Sequence, residues 1–230
     1  MDFFKQVYTA ENILSGEVIL IDKPLEWTSF QVVNKIRWHL KKMLGIKKIK
    51  VGHAGTLDPL ATGLLVICTG KMTKQIATFQ ATEKEYTGTI TLGATTPSYD
   101  LETEIDQRFE YNHLDKASIE KATLQFIGTI EQYPPLFSAL KKEGKRLYEY
   151  ARAGETPKIT PRTINISAFE ITRLKLPEID FKIKCGKGTY IRSVAHDFGK
   201  ALNSGAHLSS LKRTQSGKHH IDNAFQILNQ

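Results

Sequence analysis

Asp58 is the residue whose setting most invites chemistry. It lies in Val51-Gly52-His53-Ala54-Gly55-Thr56-Leu57-Asp58-Pro59-Leu60-Ala61-Thr62-Gly63, a stretch rich in glycine with one proline. Pro59 biases the Asp58 backbone toward extended conformations, so the carboxylate is held where neither a helix nor a sheet requires it. An aspartate that merely caps a turn fits the same spacing. Two neighbours favour chemistry: His53 stands close before it, and Leu64 to Cys68 reads as a buried strand, which sets the carboxylate at a sheet rim. Desolvation alone would raise its pKa, so it needs a cation to stay ionised and nucleophilic. Arg192 is the candidate, just after Tyr190 and behind the turn Gly186-Lys187-Gly188, whose N–H groups suit a phosphate. An ordinary surface arginine fits that local sequence equally. Tyr86 and Tyr190 are platforms for stacking a base, or plain core. No metal-ligand cluster, Ser-His-Asp context or Walker loop is visible, so the expected metals and cofactors are none.

The elements that must position these groups follow from periodicity. Residues 17–22 read as a short buried strand stopped at Lys23-Pro24. Thr28-Ser29-Phe30-Gln31 fits a capping box, and Phe30, Val33, Arg37, Leu40 and Leu44 recur at helical spacing. Glu85 to Leu92 alternates, with Tyr86, Gly88, Ile90 and Leu92 on one face. Asp115 caps a helix with apolar Ile119, Ala122, Leu124 and Phe126, stopped by Gly128. Ile179 to Cys185 alternates as a further strand, and Tyr190, Val194, Phe198 and Leu202 continue as a helix. Strands and helices mix without strict alternation, which favours α+β over a doubly wound sheet. The segment 133–162, with Pro134, Pro135, Pro157 and Pro161 around a short basic helix, reads as a surface excursion that grips a partner.

The 230 residues carry 32 Lys+Arg against 24 Asp+Glu, a net charge of +8. Positive charge gathers in three knots: Lys41, Lys42, Lys47, Lys48 and Lys50; Lys141, Lys142, Lys145 and Arg146; and Lys212, Arg213 and Lys218. One knot alone is a solvated face, but three attract a polyanion, and nucleic acid is the natural partner. Asp100, Glu102, Glu104 and Asp106 read as a solvated acidic loop. Cys68 and Cys185 read as reduced core residues of a cytoplasmic protein, and no apolar run approaches a membrane span.

The stretch Gly52 to Gly63 resembles the catalytic loop of the TruB family of tRNA pseudouridine synthases. Ile21-Asp22-Lys23-Pro24, Lys84-Glu85-Tyr86, Lys187-Gly188-Thr189-Tyr190-Ile191-Arg192 and Gly205-Ala206-His207-Leu208 to Leu211-Lys212-Arg213 resemble further motifs of that family in order. Ser138-Ala139-Leu140-Lys141 through Leu147-Tyr148-Glu149-Tyr150-Ala151-Arg152 is similar to its RNA-gripping insertion, and the likeness runs over roughly residues 17–216. The resemblance implies the pseudouridine synthase fold, a mixed, mainly antiparallel sheet flanked by helices, with a thumb-like insertion at 133–162. It implies isomerisation of uridine 55 in the T loop of tRNA, with Asp58 as nucleophile and Arg192 as its partner. His53 would displace the target nucleotide, Tyr86 would stack on the flipped base, Tyr190 and Leu211 would line the pocket, and Lys23 would help bind substrate. Attack at the sugar carbon and attack at the base ring both stay open. Ala54 stands where the family often has threonine or serine. The chain is expected to be a single catalytic domain, monomeric, without a C-terminal RNA-binding domain or an obligatory protein partner. A tRNA-binding chaperone and a synthase for another RNA are the competing readings.

Overall fold

The computed structural model describes residues 8–227. The elements in chain order are α1 (Ala10–Ser15), β1 (Val18–Lys23), α2 (Ser29–Leu44), β2 (Val51–His53), β3 (Ala61–Thr69), α3 (Ile76–Ala81), β4 (Lys84–Leu92), β5 (Ala94–Thr95) and β6 (Gln107–Arg108). There follow α4 (Lys116–Thr123), β7 (Gly128–Gln132), β8 (Lys141–Lys142), β9 (Lys145–Arg146), α5 (Leu147–Arg152), β10 (Arg162–Lys175), β11 (Glu178–Cys185), α6 (Ile191–Ala201), β12 (Ala206–Ser216), β13 (His219–His220) and β14 (Phe225–Gln226). Two compact units result, one of residues up to Glu85 with those from Lys212 on, the other Tyr86–Leu211.

In the first unit β1 pairs antiparallel with β3 and parallel with β14, and β2 pairs antiparallel with β3. The apolar run of β3 is explained by burial on both of its faces. Leu65 and Ile67 pack with Ile19 and Ile21 against Val32, Val33, Ile36 and Leu40 of α2, whereas Leu64 and Val66 pack toward Ile76 and Phe79. The capping box at Thr28 and Gln31 forms as expected. The apolar stripe of α2 differs from the expected one: Phe30 is 64% exposed, and the sheet is met by the adjacent stripe from Val32 to Leu40.

In the second unit β10 pairs antiparallel with both β11 and β7, and β4 lies next to β11. Ile179, Phe181, Ile183 and Cys185 turn one face of β11 inward, as alternation predicts. They meet Ile119 and Ala122 of α4 and Val194, Ala195 and Phe198 of α6. Asp115 caps α4 through Ser118, but the helix ends at Thr123 in a 3₁₀ turn that leaves Leu124 66% exposed. Residues 133–162 hold the small hairpin of β8 and β9 followed by α5. Both units thus mix antiparallel strands with covering helices, an α+β architecture. Neither cysteine forms a disulfide, and burial pushes the Cys68 thiol up to about 11.

Phe126, Phe169, Phe181 and Phe198 form a chain of tilted and edge-on ring contacts at 5.2 to 6.2 Å. Phe198→Ala is expected to cost about 3–5 kcal/mol, read from chemical denaturation. A loss below about 1 kcal/mol would show that this aromatic cluster is not the core of its unit.

Candidate functional site

The glycine-rich loop of the first unit is fastened from three sides. β2 delivers His53 to its start, where the Ala54 N–H donates to Val66 O at 2.8 Å. Buried Ser29, the first residue of α2, accepts from the Leu57 N–H at 2.8 Å and donates to Leu57 O at 3.1 Å. One hydroxyl therefore satisfies both backbone groups of the residue before Asp58. Beyond it the Ala61 N–H donates to Asp58 O at 3.1 Å, closing a tight turn that leaves the Asp58 side chain half-buried.

Two buried cations hold the carbonyls of this loop. Arg213, 1% exposed, donates from Nε to Leu64 O at 2.7 Å and from Nη2 to Gly55 O at 3.1 Å. Lys23, fully buried, donates from Nζ to Pro24 O at 2.9 Å, Trp27 O at 2.5 Å and Pro59 O at 3.3 Å. The Glu26 N–H also donates to Pro59 O, at 2.9 Å, from a left-handed backbone with φ 66°. Desolvation lowers the Lys23 pKa to about 8; the Asp58 and Asp22 carboxylates oppose that shift and Arg213 adds to it. Burial likewise lowers the pKa of His53, with Arg213 adding to the effect and a hydrogen bond to the Gly55 backbone opposing it. The loop thus presents a carboxylate among cations that are spent on backbone carbonyls.

The second unit carries the remaining expected residues. Tyr190 is the N-cap position of α6, its N–H and C=O both bonded to the Gln132 amide at 2.8 and 3.0 Å. Arg192 is 4% exposed and donates to Ser98 O at 3.1 Å and Phe137 O at 3.0 Å, with Nε 3.6 Å from the Asp100 carboxylate. Tyr99 stacks on His196 of α6 at 3.8 Å, so the loop before Asp106 is pinned to the helix that carries Arg192. Tyr86 and Leu211 lie partly buried against the aromatic core of this unit.

Lys23, His53 and Asp58 are therefore brought together in one unit, and Tyr86, Tyr190, Arg192 and Leu211 belong to the other. Two residues depart from expectation. Asp100 is no solvated loop acid but is 5% exposed beside Arg192, and Arg213 belongs to no surface knot. The strand period held the signal for Arg213, since it shares a face of β12 with Leu211. Asp100 had no such local marker. Among the described residues no group of acidic, histidine and cysteine side chains could hold a metal ion, and no helix is long and apolar enough to cross a membrane.

An unfolded lysine keeps its proton to about 10.5, while folded Lys23 releases it at about 8, so the unfolded chain binds more protons between those values. Stability contributed by this residue therefore rises with pH across that window. Lys23→Met should abolish that part of the rise, seen as a wild-type-minus-variant melting difference that changes between pH 7 and pH 10. Parallel curves would show that Lys23 stays protonated throughout.

The model of the TruB family pseudouridylate synthase N-terminal domain matches residues 41–191. The tRNA pseudouridine synthase B of Flavobacterium johnsoniae is 60% identical over 95% of this chain and 96% of its own length. That of Phocaeicola vulgatus is 54% identical over 94% and 92%. Among solved structures, a chain of a Cbf5-Nop10-Gar1 complex superposes with a TM-score of 0.71 at 30% identity, over 96% of this chain and 55% of that one. A chain of an H/ACA RNP bound to a substrate RNA containing 2′-deoxyuridine gives 0.67 at 27% identity, over 96% and 54%. This chain thus spans about half the length of those two solved chains.

Proposed function

Because the chain belongs to the TruB family of pseudouridylate synthases, we propose that it converts a uridine in the T loop of tRNA to pseudouridine, with Asp58 as the nucleophile. The observation that carries this reading is the Asp58 loop itself: its carbonyls are engaged by Ser29, Lys23 and Arg213, and its half-buried carboxylate acts electrostatically on buried Lys23.

The reaction is redox-neutral. The bond from the sugar C1′ to N1 breaks, the base turns, a bond from C1′ to C5 forms, the C5 proton leaves to solvent and N1 gains one. A carboxylate that adds covalently and leaves again divides this exchange into two easier steps. Arg192 is assigned as the cationic partner of the nucleophile, and Asp100 orients that guanidinium. The base must leave its stack before it can turn, so Tyr86 receives its face while Tyr190 and Leu211 wall the pocket. His53, neutral through burial, occupies the space left by the displaced nucleotide. Lys141 and Lys145 of the β8–β9 hairpin meet RNA phosphates, and the enzyme acts as a monomer in the cytoplasm.

Release of tritium from tRNA labelled at uridine C5 reports the bond exchange directly. Asp58→Asn is expected to release none above background while binding the transcript within about two-fold of wild type, because one carboxylate contributes chemistry and no phosphate affinity. Wild-type release by this variant would reject the nucleophile. Lys141→Ala with Lys145→Ala should weaken tRNA binding and lower its salt slope by about one to two. An unchanged slope would take the hairpin out of the RNA footprint.

A further inference from the structure

The outer face of α2 has no part in the chemistry above. Phe30 and Trp38 stand 64% and 56% exposed on it, roughly 12 Å apart along the axis. Arg37, beside Trp38 in sequence, donates to Asn34 Oδ1 at 2.6 Å and Val51 O at 2.9 Å, and Lys42 Nζ sits 5.2 Å over the Trp38 ring. One exposed aromatic needs no explanation. Two on a helix whose every charge is positive do. From Trp27 to Leu57 the chain holds Lys35, Arg37, Lys41, Lys42, Lys47, Lys48 and Lys50 and no aspartate or glutamate. Charge of a single sign repels itself and favours an anionic partner. Protein interfaces are depleted of lysine at their cores, whereas stacking rings beside lysines match unpaired nucleotides, whose bases take the rings and whose phosphates take the ammonium groups.

The position of this face decides which RNA it meets. Ser29, next to Phe30, is the residue whose hydroxyl holds Leu57, so the N-terminal end of α2, where Phe30 stands, abuts the Asp58 loop. We propose that Phe30 and Trp38 stack unpaired bases of the RNA whose uridine reaches Asp58, with Lys41 and Lys42 on its phosphates. This rests on the reading of the chain as an RNA-modifying enzyme.

The test is binding of an unmodified tRNA transcript across a salt series, with pseudouridine formation followed in the same samples. The double variant Phe30→Ala, Trp38→Ala should bind about ten-fold or more weakly with an unchanged salt slope and an unchanged melting temperature. The double variant Phe30→Tyr, Trp38→Tyr should return to within about two-fold of wild type, since stacking needs only a ring. An alanine variant that binds as wild type overturns the inference, and so does a tyrosine variant as weak as the alanine one. If wild type forms pseudouridine while the alanine variant binds normally, the α2 face alone fails. If wild type forms none while the alanine variant loses affinity, the isomerase reading fails and the α2 face stands.

Discussion

A guanidinium that is 1% exposed, as Arg213 is, persists in a protein interior only when other polar groups replace its water. The carbonyls of Leu64 and Gly55 do so here, and this exchange shapes the whole loop between them. Gly63 has φ 100°, and a Cβ there would lie 2.4 Å from Arg213 O, so only glycine lets the two backbones approach. Gly55, at φ 112°, turns its carbonyl toward the same arginine. The glycines that make the segment look like a loose turn in sequence are what lets it be a rigid one. Lys23 and Ser29 complete the frame at Pro59 and Leu57, on either side of Asp58.

A frame of this kind suits nucleophilic chemistry because it fixes the backbone on either side of the half-buried aspartate. The second unit repeats the device with another arginine. Arg192 is held by two carbonyls and by Asp100, and the stack of Tyr99 on His196 braces the loop that carries them. Burial lowers the His196 pKa to about 4, so that stack is neutral near pH 7 and adds no charge beside the arginine. In both places the ionisable side chains are anchored before any substrate arrives, which is how a site avoids reorganisation during reaction.

Much of this was legible because the signals are local. The capping boxes at Thr28 and Asp115, the alternation of β11 and the glycine pattern around Asp58 each depend on neighbours within a few residues. What escaped depends on partners far along the chain. Arg192 meets a carbonyl 94 residues away, so its burial leaves no trace in local composition, and Arg213, which meets one 149 residues away, is marked only by its place in the strand period. The exposure of Phe30 has a different cause. A helix with apolar residues on adjacent stripes has two ways to face a sheet, and packing against β1 and β3 selects between them.

The central claim is that this anchored loop rearranges a uridine of tRNA, and mapping the product tests it most directly. An unmodified tRNA transcript incubated with the protein, derivatised with carbodiimide and read by primer extension should show a single new stop at the T-loop uridine. No stop, or stops scattered over the transcript, would contradict the account.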